Sequence, residues 1–117
     1  MIINATDSQV VGETLSTLVS MLQTGPINAL VILKNSGVNT MNYDFQEYNG
    51  TAWVDLGASG SVLNTTLQAN QVVVLQVQSN YPQVQLVGNA SGGAFLEFTV
   101  TRYFNRTSGG ALPILNL

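Results

Sequence analysis

Short segments rich in β-branched and aromatic residues alternate along this chain with clusters of turn-forming residues. Val, Ile, Thr, Tyr and Phe suit a pleated, half-buried surface, so these segments favour strands over helices. The turn clusters are Thr24-Gly25-Pro26, Asn35-Ser36-Gly37, Asn49-Gly50, 57–60, Asn80-Tyr81-Pro82 and 88–93. Turns at such short spacing are typical of a sandwich or barrel. The pattern therefore predicts an all-β fold, a single jelly-roll-like β-sandwich of about seven to nine antiparallel strands.

Two predicted strands, 29–33 and 72–75, are apolar at every position. A strand of this kind has two apolar faces, and both must be covered to avoid exposing apolar surface to water. We therefore expect each run to be a central strand or to lie under a partner.

Other strands are apolar at every second position. In 94–104, Leu96, Phe98 and Val100 alternate with polar residues, and Tyr43 and Phe45 do the same in 41–48. Successive side chains of a strand point to opposite faces, so each of these strands turns one face to the core.

A hairpin is predicted at Asn49-Gly50, the dipeptide that most readily supplies the two positive φ angles of a type I′ turn. The strand 41–48 should then pair with 51–55.

The segment 10–22 is compatible with two structures. Val11, Leu15, Leu18 and Leu22 are spaced as on one face of a helix, and Gly25-Pro26 would end that helix. Gly12 and the many Ser, Thr and Val residues of the segment make a weak helix. We favour a strand over 14–22 and keep a short N-terminal helix as the alternative.

At 117 residues the chain has the length of one domain. We assign 1–104 to the β-sandwich and 105–117 to a C-terminal tail or arm, which begins polar and Gly-rich and ends apolar. The tail should fold back as an edge strand or lie along a neighbouring subunit. Its candidate partner-binding residues are Leu112, Pro113, Ile114, Leu115 and Leu117.

Charge is scarce in this sequence: 8% of its residues are Asp, Glu, Lys or Arg, about a third of the ~25% usual in soluble domains. Neutral hydroxyls and amides cost far less to desolvate than ions, so such a surface tolerates being covered by neighbours. A neutral monomer is the plainer interpretation.

Three basic residues against six acidic ones do not make a surface that binds nucleic acid or an anionic membrane. We also expect no membrane span and no signal peptide.

The chain has no histidine and no cysteine, and so lacks the commonest general base, the commonest metal ligand and the thiol nucleophile. We therefore expect no enzyme, no cofactor and no metal. The remaining catalytic alternative is a carboxylate pair drawn from Asp44, Glu47, Asp55 and Glu97. Asp44 and Glu47 are an odd number of positions apart on a predicted strand and should point to opposite faces, and we expect all four acids to be solvated.

A ligand platform is the alternative interpretation of the hairpin, where Tyr48 and Trp53 lie close to Asp55 in sequence. Aromatic rings beside amide and carboxylate groups are suited to binding a sugar. The single Trp of a small sandwich is more often a core or inter-sheet anchor, which is the interpretation that we favour.

The segment 35–57 resembles a pattern found in small β-sandwich proteins of tailed bacteriophage particles. It contains an Asn-X-Gly turn after a buried strand, an alternating strand with a Tyr, an Asn-Gly hairpin, then Trp and Asp-Leu-Gly. The composition and length resemble those of phage head decoration or cement proteins, which coat an assembled icosahedral shell, often as trimers or dimers.

This resemblance implies a structural virion protein on the capsid exterior, made in the host cytoplasm. Its implied partners are the major capsid protein and other copies of itself, and no catalytic or ligand residue is carried over. Similar hairpins occur in tail and receptor-binding modules, so a carbohydrate-binding or adhesin module of a phage tail or fibre is the alternative.

Overall fold

The structure is a computed structural model that describes residues 2–22, 26–56 and 65–103. These residues form nine strands and no helix, as the pattern of the sequence predicted. The strands are β1 (Ile2–Val11), β2 (Ser16–Leu22), β3 (Ile27–Asn35), β4 (Met41–Tyr48), β5 (Trp53–Asp55), β6 (Thr65–Leu67), β7 (Val72–Ser79), β8 (Gln83–Asn89) and β9 (Ala94–Tyr103).

The strands form two antiparallel sheets that pack face to face in a jelly-roll-like β-sandwich. Sheet 1 has the order β1-β9-β3-β7, and sheet 2 has the order β2-β8-β4-β5, with β6 also paired to β4. The core lies between the sheets, because one side chain in two on each central strand points inward.

The alternating strands bury the residues that the sequence predicted. Leu96, Phe98 and Val100 of β9 lie in the core, and so do Tyr43 and Phe45 of β4. The rings of Tyr43 and Phe45 meet edge to face, with centroids 6.4 Å apart. The predicted alternation of these two strands is confirmed.

The segment that could have been a helix is a strand, β2, paired with β8. A register shift between Thr17 and Val19 inserts Leu18 as an extra residue, so Leu18 and Val19 are both buried. Leu15 and Leu22, which would have completed the helix face, are exposed. The helical alternative is wrong: the buried residues Leu18, Val19 and Met21 follow the strand and its β-bulge, not the helix face.

Strand β1 was not predicted from the sequence. It pairs with β9 along its whole length, from Ile2 opposite Tyr103 to Val11 opposite Ala94. Residues 6–10 are all exposed. Within 6–11, the part of β1 whose side chains are described, Val11 is the one buried residue, so this stretch lacks the alternation by which the other strands were identified.

The two fully apolar runs occupy different positions in sheet 1. The run 29–33 lies in β3, between β9 and β7, as expected for a central strand. The run 72–75 lies in β7 at the edge of sheet 1, with Val72 and Val74 exposed. Of the two arrangements expected for 72–75, the central strand is not the one found, because the partners of a strand are set by distant segments and not by its own composition. Cover by a partner stays a prediction.

One end of the sandwich is held by the buried side chain of Asn35. Its Nδ2 donates to the carbonyls of Asn39 (2.7 Å) and Leu67 (2.9 Å), and its Oδ1 accepts from the backbone N–H of Gly37 (3.0 Å). A Cβ on Gly37 would lie 2.8 Å from the backbone nitrogen of Phe95. The predicted Asn-Ser-Gly turn is thus also a packing contact between the end of β3 and the start of β9.

At the other end, a hydrogen bond joins the two sheets. Ser79 of β7 donates through Oγ to Oε1 of Glu47 on β4, at 2.7 Å, and accepts from the backbone N–H of Tyr81 at 3.0 Å. Glu47 therefore faces inward at the rim of the sandwich.

The hairpin at Asn49-Gly50 pairs β4 with β5, as predicted, but through a longer turn. Tyr48 lies opposite Trp53, so four residues form the loop. Gly50 has a positive φ of 96°, whereas the Asn49 side chain accepts from the N–H groups of Thr51 and Ala52. The predicted two-residue type I′ turn is wrong: Asn49 acts here through its side-chain oxygen.

The proposed tail, 105–117, lies outside the described residues, and so does the C-terminal end of the predicted domain at 104. The described part of the chain contains no helix that could cross a membrane.

Candidate functional site

The outer face of sheet 1 carries a cluster of aliphatic side chains that are exposed or half-buried, which we call the apolar face. It consists of Leu30 and Ile32 on β3 and Val72 and Val74 on β7. Ile32 lies directly opposite Val74 in the ladder. Val72 and Val74 are 54% and 60% exposed, and Ile32 is exposed as well. The outer face of an antiparallel sheet is usually polar, so this cluster departs from the normal pattern.

Two charged side chains with described positions lie on the same outer face, and their charges are opposite. Lys34 on β3 and Glu97 on β9 are partners in the strand ladder. Two residues along β9 from Glu97, Thr99 pairs with Thr6 of β1, and their hydroxyls are 3.2 Å apart. The described part of this face therefore carries no net charge.

Strand β7 also presents one free edge, which we call the β7 edge. It pairs with β3 on one side, and no strand within the described ranges pairs with it on the other. Its eight residues, VVVLQVQS, include no charge and no proline. The backbone N–H and C=O groups on such an edge can accept another strand.

The other edge strands each carry a feature that discourages strand addition. β1 has the exposed charge of Asp7, β2 has its bulge, and β5 and β6 are three residues long. Charge, bulges and short length are the usual means of protecting an edge. Among the described edge strands, β7 is thus the one best suited to pairing with another chain.

The outer face of sheet 2 carries an aromatic pair, Tyr48 on β4 and Trp53 on β5. Their ring centroids are 5.2 Å apart and the ring planes are tilted by 52°. Trp53 is 40% exposed, so the favoured interpretation of Trp53 as a core or inter-sheet anchor is wrong. Tyr48 lies on the outer face of β4, and Trp53, its partner in the strand ladder, points to the same face.

A polar row lies beside the aromatic pair, one step along the same face. It is formed by Ser20, Gln85, Gln46 and Asp55, which are partners across four adjacent strands. Gln85 donates through Nε2 to Oε1 of Gln46 at 2.8 Å and accepts at Oε1 from the Thr17 hydroxyl at 3.0 Å. Asp55 was predicted as part of a platform with Tyr48 and Trp53, and the structure brings all three to this face.

The four acids of the catalytic alternative are divided between faces and sheets. Asp44 and Glu47 lie on opposite faces of β4, as predicted, with Glu47 facing inward to Ser79. Asp44 and Asp55 share the outer face of sheet 2, and Glu97 lies on sheet 1. Asp44, Glu47 and Asp55 are half-buried, so the expectation that all four acids are fully solvated is wrong.

Nothing in the described ranges groups three or more His, Cys, Asp or Glu residues around a point where a metal ion could bind. The candidate partner-binding residues Leu112, Pro113, Ile114, Leu115 and Leu117 lie outside the described residues.

Two features of these surfaces were not identified from the sequence. The β7 edge was missed because a run of valines indicates burial, and strand order is not encoded in the run itself. The polar row was missed because its members, such as Gln46 and Gln85, come from distant segments. The available signal was that each of them is an outward-facing polar residue of its strand.

No protein-family model matches this chain, and no curated protein matches it either. Solved structures similar to it include the following two. One is PirA, 14% identical with a TM-score of 0.54, covering 85% of this chain and 93% of that chain. The other is the Yersinia pseudotuberculosis-derived mitogen, YPM, 10% identical with a TM-score of 0.50, covering 94% of each chain. At these identities the likeness shows the fold alone, and one fold hosts many unrelated functions.

Proposed function

We propose that this protein is a structural protein of a tailed phage virion, which binds the outer surface of the assembled capsid and stabilises it as a decoration or cement protein. It acts there as a homo-oligomer, a dimer or trimer, with the major capsid protein as its other partner. The observation that carries the proposal is the unprotected β7 edge, continuous with the apolar face.

The β7 edge and the apolar face are parts of one contact surface, because Val72 and Val74 belong to both. The apolar run 72–75 favours cover on both faces, and within the described ranges the outer side chains Val72 and Val74 are exposed. A partner molecule that packs on this face would supply that cover. Complete burial of an aliphatic side chain of this size contributes about 1.5–3 kcal/mol, and roughly half of that is still available at each half-exposed valine.

Low charge supports the same role. A decoration protein is added to a shell in many copies, and a charged surface would repel its own neighbours. The described part of the apolar face is neutral, with Lys34 balanced by Glu97 on the same rung. A neutral surface with a flat sheet edge favours contacts through shape and backbone hydrogen bonds, and many weak contacts add up in a shell through multivalency.

The fold shared with PirA and YPM supports neither this function nor another, so the proposal rests on the surface of the sandwich and on the resemblance of 35–57 to phage proteins. Attachment to the capsid exterior follows from that resemblance.

The test uses Val74→Lys, which places a charge on the contact surface at a position that is already exposed. Wild-type and variant protein are added to expanded capsids of the encoding phage that lack this protein, and bound copies are measured by co-sedimentation and cryo-electron microscopy. We expect Val74→Lys to reduce binding at least tenfold, which corresponds to about 1.4 kcal/mol or more.

Gln9→Lys is the matched control, because it adds the same charge to an exposed position on the opposite edge strand of the same sheet. It should bind like the wild type. Binding of Val74→Lys at the wild-type level would show that the β7 edge is not the contact surface. Failure of the wild-type protein to bind any capsid would overturn the function itself.

The predicted arm is tested separately by deleting 111–117. Weakened attachment is expected if this segment lies along a neighbouring subunit. Normal attachment of the shortened protein would remove the arm from the proposal.

A further inference from the structure

A second surface, on the opposite sheet, has the features of a ligand site and has no part in the contact made by the β7 edge. We propose that the outer face of sheet 2 binds a neutral oligosaccharide, with Trp53 and Tyr48 as the stacking platform and Gln46, Gln85 and Asp55 as the hydrogen-bonding groups.

The aromatic pair supplies the apolar half of the site. Trp53 is 40% exposed although it is in contact with Tyr48, so part of the indole surface remains available to a ligand. The C–H face of a pyranose ring is apolar and its rim is polar, so it packs on an aromatic ring with its hydroxyls directed to the side. Because β5 is short and at the edge of the sheet, the ligand can approach without displacing another strand.

The polar row supplies the other half at a suitable separation. Side chains two residues apart on a strand lie on the same face about 7 Å apart, so the row containing Gln46 and Asp55 runs parallel to the aromatic pair at about one sugar width. Amides and carboxylates can contact adjacent hydroxyls of one sugar through their paired donor and acceptor atoms.

The row is also preorganised. Gln85 is held between Thr17 and Gln46, so its amide is already fixed before a ligand arrives. Gln46 accepts from Gln85 through Oε1, and no hydrogen bond from its Nε2 to a described residue is present, which leaves that amide group able to donate to a ligand. Fixing the side chains in advance lowers the entropic cost of binding.

Charge selects the class of sugar. The charged side chains with described positions on this face are acidic, Asp44 and Asp55, and neither a lysine nor an arginine is among them. The carboxylate of Asp55, which belongs to the polar row itself, would repel a phosphorylated or acidic glycan. The site is therefore suited to neutral sugars.

The test exploits the fact that Trp53 is the single tryptophan of the chain, so intrinsic fluorescence reports directly on the site. The full-length protein is screened on an array of neutral and acidic oligosaccharides, and the neutral hits are titrated while tryptophan emission is followed. We expect a neutral oligosaccharide to bind and to shift the emission of Trp53. Absence of any neutral hit, or binding of acidic glycans alone, would overturn the proposal.

Two variants separate a ligand site from a merely structural aromatic pair. Gln46→Ala retains the fluorescent reporter and should weaken binding of the neutral hit at least tenfold, with the folded state verified by circular dichroism. Trp53→Ala should abolish binding on the array. Phe95→Ala is the matched control, since Phe95 is an aromatic residue exposed to a similar degree, 38%, on the other sheet, and it should bind like the wild type. A Gln46→Ala variant with unchanged affinity would contradict the assigned role of the polar row.

Discussion

Replacement of Asn35 by alanine tests how the end of the sandwich is held together. Asn35 is completely buried at the last position of β3. Its side chain makes three hydrogen bonds, to the carbonyls of Asn39 and Leu67 and from the N–H of Gly37, at 2.7, 2.9 and 3.0 Å. The substitution removes all three, of which the bond to the Leu67 carbonyl is buried and the other two are partly buried.

The size of the effect follows from these bonds. A typical intramolecular hydrogen bond contributes about 1 kcal/mol net, and a buried partner left without one adds a desolvation cost. We therefore expect Asn35→Ala to lower the free energy of unfolding by about 3–4 kcal/mol, a large fraction of the ~5–15 kcal/mol that stabilises a domain. For a domain of this length that corresponds to a fall in Tm of roughly 10–20 °C.

The assay is urea denaturation followed by circular dichroism, with Asn42→Ala as the control. Asn42 is half-buried and makes one side-chain bond, to Asn89 at 3.3 Å, so its replacement should cost about 1 kcal/mol or less. Asn35→Asp should be at least as destabilising as the alanine variant, because an oxygen would face the carbonyls of Asn39 and Leu67. A loss below about 1 kcal/mol for Asn35→Ala would refute the idea that this side chain holds the loops together.

Two further predictions concern a glycine and a buried tyrosine. Gly37→Ala should lower the free energy of unfolding by about 2 kcal/mol or more in urea titrations, because its Cβ would lie 2.8 Å from the backbone nitrogen of Phe95. Gly12→Ala is the control: there is open space around the added Cβ, so this variant should be within about 0.5 kcal/mol of the wild type. Equal stability of the two variants would contradict the packing argument. Burial raises the pKa of Tyr43 above its ordinary value of 10.0, so the folded protein retains a proton that the unfolded chain releases. The resulting contribution to folding stability is complete below about pH 10 and is lost as the pH rises through the folded-state pKa. Urea unfolding across this range should show a steeper decline for the wild type than for Tyr43→Phe, and identical slopes would rule out this contribution.

Much of the sandwich could be predicted because side-chain alternation is a local property of a strand. The inward set Leu96, Phe98 and Val100 follows from a period of two residues, whichever strands lie beside β9. The turn at Asn35–Gly37 is likewise local, since Asn and Gly favour the required conformations in any fold. In contrast, the bulge at Leu18 places two successive residues in the core, so the buried positions of β2 do not follow the two-residue alternation by which a strand is recognised.

The candidate surfaces depended on information that is not local. The sequence placed Tyr48, Trp53 and Asp55 near one another through the hairpin, but whether Trp53 points to the core or to water was decided by the position of β5 at the edge of sheet 2. The row that links Gln46 to Gln85 exists because β4 and β8 are neighbours in the sheet, although the two residues are far apart in the chain.

By itself, the sequence determined the all-β character, the shortage of charge, the lack of His and Cys, and the inward residues of β4 and β9. These properties depend on residue chemistry and on the two-residue repeat of a strand. The tertiary structure decided that 72–75 lies at an exposed edge and that Trp53 faces outward. The order of strands in a sheet is set by the contacts among all of them together. A run of valines therefore indicates that a strand favours cover, but not which strand, or which molecule, covers it.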